Sequence, residues 1–171
     1  MDGWEPTEAR LALLVDADRE SRSLLQPLLR ARGLDLVHAR AGVAGLELLQ
    51  RMPSRFRLAV VSLDLPGLAG PVVLQTLRLF LPSLPLVCLA ESVEASAVPV
   101  GGPCLSKPFD AAGAALQLDA ALTAPRTLLV GAAVSAEALA RATASFKLSG
   151  NLLDAAREIA RGLPGEWDES P

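Results

Sequence analysis

The sequence has few residues of the kinds that metal and thiol chemistry require. Its 171 residues include one histidine, His38, and two cysteines, Cys88 and Cys104. Two cysteines are too few for a disulfide framework, so we expect both thiols to be reduced and buried. A single histidine offers few side chains for His-dependent catalysis or metal binding. Because His38 falls within a predicted strand, we interpret it as structural.

Long apolar runs and a strong excess of one charge are also missing. No window approaches the roughly 18 to 20 uncharged apolar residues that a membrane-spanning helix needs. The first residues, MDGWEPTEAR, lack the basic character of a secretory signal. A net charge of −3 provides no overall attraction for nucleic acid. These absences lead us to expect a cytoplasmic protein without a membrane partner.

The apolar share is 51%, which is ample for one ordinary domain plus an appendage. Short apolar runs alternate with helical patterns along most of the chain. Strands alternating with helices indicate an α/β fold, with a parallel sheet and helices on both faces. The predicted strands are Leu11 to Val15, Leu34 to Ala39, Leu58 to Leu63, Leu84 to Leu89 and Cys104 to Ser106.

Helical spacing fills the intervals between these strands. The second predicted helix places Val43, Leu46 and Leu49 on one apolar face, with Glu47, Gln50 and Arg51 turned outward. A third helix begins at Pro71 and reaches Leu81, and it is more apolar than one buried face requires. Asp110 is well placed to cap an alanine-rich helix that ends near Leu122.

Polar side chains stand where the central strands end. The stretch LAVVSLDLPGLAG, residues 58–70, reads as a buried strand that runs into a glycine-rich turn. Ser62 and Asp64 lie at the end of this strand, and Asp16 follows the first strand. In an open α/β sheet the carboxyl ends of the strands are where ligands and chemistry collect, so these residues mark the candidate site.

Three motifs at these strand ends resemble the receiver domain of bacterial two-component response regulators, over residues 9–123. They are VDAD after the first strand, SLDLPGLAG after the third and LSKPFD after the fifth. The resemblance implies a flavodoxin-like sheet with strand order 2-1-3-4-5. In that family paired carboxylates hold a magnesium ion, an aspartate accepts a phosphoryl group from a histidine kinase, and a hydroxyl and a lysine contact the phosphoryl oxygens.

The sequence departs from the family at most of these positions. A serine hydroxyl is neither an acidic metal ligand nor a competent acceptor in a mechanism that uses a carboxylate nucleophile. The departures therefore predict a degenerate phosphoacceptor pocket, with no catalysis, no cofactor and no magnesium binding. The matching residues are Ser62 for the acceptor, Asp16 and Ala17 for the acid pair, Ala90 for the hydroxyl, Cys104 for the switch aromatic, and Lys107, which alone is retained among the groups that touch phosphate.

Two residues of the pocket have alternative roles. Asp64 lies two residues after Ser62, on the same nominal side of an extended strand, and is able in principle to replace the missing carboxylate. The Leu-Pro-Gly sequence that follows favours instead a role as a turn former. For Lys107 we expect a structural pairing with Asp16 or Asp64 in an otherwise unbalanced acidic pocket.

A further departure lies in residues 91–103, ESVEASAVPVGGP. Proline and glycine oppose a helix interior by roughly 1 to 3 kcal/mol each, so the family's fourth helix is predicted to be shortened or lost. The alanine-rich face beside it then either binds another protein or is covered by the remodelled loop and the carboxyl-terminal segment. The candidate interface residues are Leu74, Cys104, Ala111, Ala115, Phe146 and Ile159.

Residues 124–171 form a carboxyl-terminal extension. Residues 126–134 fit either an additional strand or a covering segment. Ser135 and Asn151 are credible caps of two helices that form a hairpin with an apolar stripe, which must be buried somewhere. GNLLDAAREIARGL also weakly resembles the opening of the helix-turn-helix of DNA-binding response regulators, but the acidic LPGEWDESP that follows opposes phosphate contact.

The sequence favours a phosphorylation-independent pseudo-receiver that acts through protein–protein interaction. Its expected partner is another signalling or regulatory protein, with a homodimer as one form of that contact. Two alternatives stay open: a DNA-binding regulator that uses the carboxyl-terminal helices, and an atypical phosphoacceptor that uses Asp64.

Overall fold

The computed structural model of the chain describes residues 10–91, 103–123 and 135–161. Four strands alternate with three helices, and a fifth strand and three further helices follow. The strands are β1 (Leu11–Val15), β2 (Asp35–Ala39), β3 (Phe56–Ser62), β4 (Leu86–Ala90) and β5 (Cys104–Ser106). The helices are α1 (Arg19–Arg30), α2 (Gly42–Arg51), α3 (Gly70–Phe80), α4 (Ala111–Thr123), α5 (Ala136–Ser149) and α6 (Leu152–Arg161).

The five strands form one parallel sheet in the order β2-β1-β3-β4-β5. This confirms the predicted flavodoxin-like fold. Strands β1 and β4 are buried along their whole length. Helices cover both sides of such a sheet, which explains why these strands read as continuous apolar runs instead of alternating polar and apolar residues.

The sheet separates two hydrophobic cores. We call the side covered by α2, α3, α5 and α6 the hairpin face, and the opposite side the α1/α4 face. On the hairpin face, Leu46 and Leu49 of α2 pack with α3 and α6. On the α1/α4 face, Leu25 and Leu29 of α1 pack with Leu118 of α4.

Helix α2 buries glycines where the sequence suggested a valine. Its buried residues are Gly42, Gly45, Leu46 and Leu49, whereas Val43 is 36% exposed, so its assignment to the apolar face is wrong. A Cβ atom at Gly45 would lie 2.7 Å from the Cγ2 atom of Val15. The helix lies so close to β1 that only glycine fits there, and this rotates Val43 towards solvent.

Helices α5 and α6 form the predicted hairpin. The Oγ atom of Ser135 accepts a hydrogen bond from the backbone N–H of Ala138 at 3.2 Å, and Gly150 ends α5 with a φ of 65°. The Oδ1 atom of Asn151 then accepts a hydrogen bond from the N–H of Leu153 at 2.9 Å. A left-handed residue after one helix and a side-chain cap before the next reverse the chain within two residues.

The hairpin packs on α3 and α2. Residues Leu152, Ala155, Ala156 and Ile159 of α6 are buried in the same core as α3. The rings of Phe80 and Phe146 lie 4.6 Å apart between their centroids. The expectation that the apolar stripe of the hairpin is buried is confirmed, and the second layer explains why α3 is apolar around most of its circumference.

This packing corrects two of the candidate interface residues. Leu74 is 1% exposed and Ile159 is fully buried. Both side chains belong to the core of the hairpin face, so neither lies on a surface that a partner can reach. Phe146 and Cys104 are half-buried against the same core, and Ala115 is half-buried on α4, which leaves Ala111 as the exposed member of the predicted set.

Several predictions fall outside the described residues. They are the shortened fourth helix of the family, within residues 92–102, the strand or covering segment at 126–134, and the acidic tail at 162–171. Among the helices that are described, none combines the length and apolarity needed to cross a membrane.

Candidate functional site

The predicted pocket residues meet at the carboxyl edge of the sheet. Asp16 follows β1, Ser62 ends β3, Ala90 ends β4 and Lys107 follows β5. The backbone N–H of Lys107 donates to the carbonyl oxygen of Ala90 at 2.7 Å, which fixes the start of the LSKPF turn against β4. The peptide bond between Lys107 and Pro108 is cis.

Asp16 and Lys107 form an ion pair inside this edge. The Nζ atom of Lys107 lies 2.7 Å from the Oδ2 atom of Asp16, whose side chain is 2% exposed. The other carboxylate oxygen, Oδ1, accepts a hydrogen bond from the N–H of Asp18 at 3.1 Å. Of the two partners that the sequence allowed for Lys107, the structure places Asp16 in contact. The one retained cation is thus engaged by the one retained acid.

His38 supports Asp16 from β2. Its Nε2 atom lies 2.7 Å from the backbone carbonyl oxygen of Asp16. A carbonyl oxygen only accepts hydrogen bonds, so Nε2 carries the proton and donates it. This contact agrees with the structural role expected for His38, and it helps to hold the residue that binds Lys107.

Ser62, which the receiver resemblance matches to the acceptor position, is buried. Its Oγ atom accepts a hydrogen bond from the backbone N–H of Asp64 at 3.2 Å, so the hydroxyl serves the turn that follows β3. A Cβ atom at Gly70 would lie 2.0 Å from the carbonyl oxygen of Ser62. The turn therefore brings the start of α3 directly against the end of β3, and glycine is required at this approach.

The other acidic residues near the pocket have positions that suit structural roles. Asp18 caps α1, because its Oδ1 atom accepts a hydrogen bond from the N–H of Glu20 at 3.0 Å. Asp64 is exposed in the turn after β3, and Ala17 is exposed beside Asp16. Nothing in this arrangement gives Asp16 a second carboxylate of the kind that the family uses.

The donor set does not fit the magnesium ion that the receiver fold implies. A magnesium site in such a pocket needs carboxylate oxygens in near-octahedral geometry. Here Asp16 is already paired with Lys107, Ala17 offers no ligand atom and Ser62 offers a neutral hydroxyl. Across the described ranges 10–91, 103–123 and 135–161, no cluster of three or more His, Cys, Asp or Glu side chains is arranged to hold a metal.

Two free thiols lie next to each other in the sheet below this pocket. Cys88 of β4 and Cys104 of β5 are register partners in the parallel ladder. Burial raises the pKa of the Cys88 thiol well above its usual range, and the neighbouring Cys104 thiol raises it further through charge and hydrogen bonding. Both cysteines were expected to be reduced, but the sequence reading did not pair them. Cys88 lies two residues before Ala90, which ends β4, and Cys104 lies two residues before Ser106, which ends β5. This equal spacing was the signal in the sequence that could have paired the two cysteines.

Gln50 has a role that sequence reasoning missed. It was interpreted as a solvated residue of α2, and it is exposed. Its Oε1 atom nevertheless accepts a hydrogen bond from the N–H of Leu152 at 2.8 Å, and its Nε2 atom donates to the carbonyl oxygen of Gly150. Gln50 thus ties the start of α6 to α2. Helical periodicity carries no sign of this contact, because the partners lie a hundred positions away in the chain.

The outward side of α6 carries charges that are paired with one another. Glu158 lies 2.8 Å from Arg161 and 3.4 Å from Arg141 of α5, and Arg157 lies 3.6 Å from Asp154. Phosphate contacts need cations that are available to the nucleic acid. The described part of the hairpin presents an ordinary mixed surface, which fits a packing role.

A separate groove of about 360 Å³ lies at the opposite, amino edge of the sheet. It is lined by Phe56 and Arg57 at the start of β3, by Pro85 just before β4 and by Phe80 at the end of α3. The groove is therefore remote from the carboxyl-edge pocket that Asp16 and Lys107 occupy.

Comparison with solved structures identifies the architecture. The chain is similar to the signal receiver domain of an HD domain-containing protein from Pseudomonas fluorescens Pf-5, with 27% identity over 71% of this chain and 93% of that one, and a TM-score of 0.56. It has the receiver-domain fold. The receiver domain of the hybrid histidine kinase CckA matches at 26% identity over 66% of this chain and 99% of that one, with a TM-score of 0.55.

A response regulator from Thermotoga maritima shares this receiver fold at only 15% identity, over 68% of this chain and 99% of that one, with a TM-score of 0.59. No protein-family model matches the sequence, and no curated protein matches it. These three structural matches cover about two thirds of the chain.

Proposed function

We propose that this chain is a pseudo-receiver, which uses the receiver fold in bacterial signalling as a protein-interaction module and does not pass through a phosphorylated state. The observation that carries the proposal is the buried Ser62 at the acceptor position. A neutral hydroxyl that is engaged by the Asp64 N–H replaces the carboxylate nucleophile that the family's chemistry needs.

The Asp16–Lys107 pair supports the same proposal. In a working site the lysine contacts the phosphoryl oxygens, and paired acids bind magnesium. Here the lysine lies 2.7 Å from the buried acid. Phosphorylation would have to break this pair in a poorly solvated edge, where an unpaired charge is costly. The pair therefore favours a pocket that is held in one state.

Phosphoryl transfer is tested with acetyl phosphate and with beryllofluoride, each with and without magnesium. We expect no phosphorylated species in the intact mass spectrum and no magnesium-dependent spectral change. The matched control is the double variant Ala17→Asp, Ser62→Asp, which returns carboxylates to the two altered positions. A response in this variant and none in the native chain would attribute the inactivity to these residues.

A magnesium-dependent adduct on the native chain would contradict the proposal. The Asp64→Asn variant then decides whether the atypical phosphoacceptor alternative is right. Loss of the adduct in Asp64→Asn would assign the phosphoryl group to Asp64. Retention of the adduct would point to a different residue.

For the interaction surface we propose the outward side of α4. Ala111, Ala112 and Ala120 are exposed there, and Leu116 is 68% exposed. The partner we propose is another signalling protein, or a second copy of this chain. The hairpin face is already covered by α5 and α6, which supports placing the contact on the other side of the sheet.

The surface is tested with Leu116→Glu and a matched control, Leu148→Glu. Leu148 is 91% exposed and lies on α5, so the control adds the same charge at an exposed apolar position elsewhere. We expect Leu116→Glu to abolish binding of a defined partner protein, or to lower the molar mass measured by light scattering if the chain self-associates. Leu148→Glu should change neither. Equal effects of the two variants would reject α4 as the contact.

A further inference from the structure

The Cys88–Cys104 pair is the feature that the receiver chemistry does not use. Cys88 and Cys104 are aligned in the β4–β5 ladder, together with the neighbouring pairs Leu89 with Leu105 and Ala90 with Ser106. Register partners on parallel strands point to the same side of the sheet. Cys88 accordingly belongs to the core of the hairpin face, and the half-buried Cys104 packs against it.

The spacing of two such strands suits a covalent bond. Laterally neighbouring strands lie about 4.8 Å apart. Disulfides join cysteines whose Cα atoms are about 4.4 to 6.8 Å apart. The two side chains leave aligned positions on these strands on the same side of the sheet, which brings their thiols next to each other.

The two thiols differ in access. Cys88 is buried, whereas Cys104 is half-buried at the edge strand of the described sheet. A small oxidant therefore reaches Cys104 first, and Cys88 lies behind it as an internal second thiol. An accessible cysteine beside a second cysteine that can resolve it is one feature of redox-sensitive protein sites.

We propose that Cys88 and Cys104 form a reversible intramolecular disulfide on exposure to hydrogen peroxide, which makes the β4–β5 pair a redox modification site. The Cys104 thiolate attacks one peroxide oxygen, an S–O bond forms, the O–O bond breaks, and hydroxide leaves and becomes water with the thiol proton. The Cys88 sulfur then attacks the Cys104 sulfur, the S–S bond forms, and the S–O bond breaks. The second hydroxide leaves with the Cys88 proton as water.

The bond would lie directly beneath the remnant pocket. Lys107 follows β5 and is held to β4 by its backbone hydrogen bond to Ala90. A covalent link between Cys88 and Cys104 ties the same two strands together, close to the Asp16–Lys107 pair. Oxidation thus changes the covalent structure of this edge of the sheet without a phosphoryl group.

The test uses the reduced, full-length chain, treated with hydrogen peroxide under native conditions and then alkylated. We expect a mass decrease equal to two hydrogen atoms, no alkylation at either cysteine, and full reversal by dithiothreitol. Tryptic digestion leaves both cysteines in one peptide, because the chain has no Lys or Arg between Arg78 and Lys107. Cleavage after Glu91 and Glu94 separates them and reveals the link.

Two variants sharpen the result. In Cys88→Ser the peroxide product should stop at the Cys104 sulfenic acid, which dimedone traps. In Cys104→Ser oxidation of Cys88 should be slower in the folded chain than after denaturation. Free alkylation of both native thiols after peroxide, a link only between two chains, or accumulation of sulfinic acid on Cys104 without a disulfide would each overturn the proposal, whether or not either variant folds.

Discussion

The two faces of the sheet are covered to different depths. On the hairpin face, α6 lies over α3 and α2, and nearly every residue of α3 is buried. On the α1/α4 face the described residues form one layer of helices, in which Leu24 of α1 is 40% exposed and Leu116 of α4 is 68% exposed. Among the described residues, the apolar side chains of the hairpin serve the fold, whereas Leu116 of α4 is exposed, and this difference supports the contact that we propose on α4.

The number of helix layers on each face depends on how much of each helix surface is apolar. An amphipathic helix needs one buried side, and α1 satisfies this with Leu25 and Leu29. Helix α3 carries buried residues from Val72 to Arg78 without an interruption. A helix that is apolar all round has to be surrounded, and the hairpin provides the second layer.

The largest effect is expected from a charge placed between the two layers. Ile159→Asp puts a carboxylate into the core of the hairpin face, where Ile159 is fully buried, and we expect the free energy of unfolding to fall by more than about 4 kcal/mol. Leu116→Asp on the α1/α4 face is the matched control, with an expected change within about 0.5 kcal/mol. Urea unfolding measures both. Similar losses in the two variants would remove the distinction between the faces.

A second effect is expected at the edge where the two faces meet. Lys107→Ala leaves the Asp16 carboxylate buried without its partner, and removing one member of a buried pair costs about 3 kcal/mol. The double variant Asp16→Asn, Lys107→Met should recover most of this loss. Thermal or urea unfolding of the native chain, Asp16→Asn, Lys107→Met and the double variant gives the coupling between the two residues. An unaffected Lys107→Ala protein would show that the lysine is not structural.

Gln50→Ala tests how the hairpin is attached. The substitution removes an acceptor for the N–H of Leu152 and a donor for the carbonyl oxygen of Gly150, and a loss of about 1 kcal/mol is expected. Amide hydrogen exchange should increase at Leu152 and in the following turn of α6. Glu47→Ala, on the exposed side of the same helix, is the control and should leave exchange in α6 unchanged. Equal exchange in the two variants would mean that α6 is held by its apolar contacts alone.

The smallest effect belongs to the surface pair that joins the turn after α1 to α4. The Nε atom of Arg32 lies 2.7 Å from Oδ1 of Asp119, and its hydrogen bonds lower the pKa of the Asp119 carboxyl. A carboxyl group whose pKa is lower in the folded state stabilises the fold above its unfolded pKa. That stabilisation is lost as pH falls through the folded value.

Asp119→Asn should therefore lower Tm slightly at neutral pH, and the difference from the native chain should disappear in acid. Because the pair is exposed, added salt should also reduce the difference. A difference that grows as the pH falls would contradict this sign. A Tm scan across pH at two salt concentrations is sufficient.

Much of the fold could be predicted because its signals are local. Apolar runs such as Leu11 to Val15 fix strands, and Ser135, Gly150 and Asn151 fix helix ends through contacts within a few residues. The residues of the pocket were also recognisable, since Asp16, Ser62 and Lys107 follow strand ends. The burial of Val43 was assigned wrongly because the close approach of α2 to β1 is a tertiary feature.

The sequence by itself determined the order of elements, the parallel sheet and the presence of a serine at position 62, because each depends on residue type and short-range spacing. Only the tertiary structure decided that Lys107 pairs with Asp16, that Gln50 holds α6, that Cys104 lies beside Cys88, and that α6 buries Ile159 in the core that includes Leu74. These contacts join residues that are distant in the chain. Nothing in the local pattern of either partner specifies the other, so their pairing is set by how the layers pack.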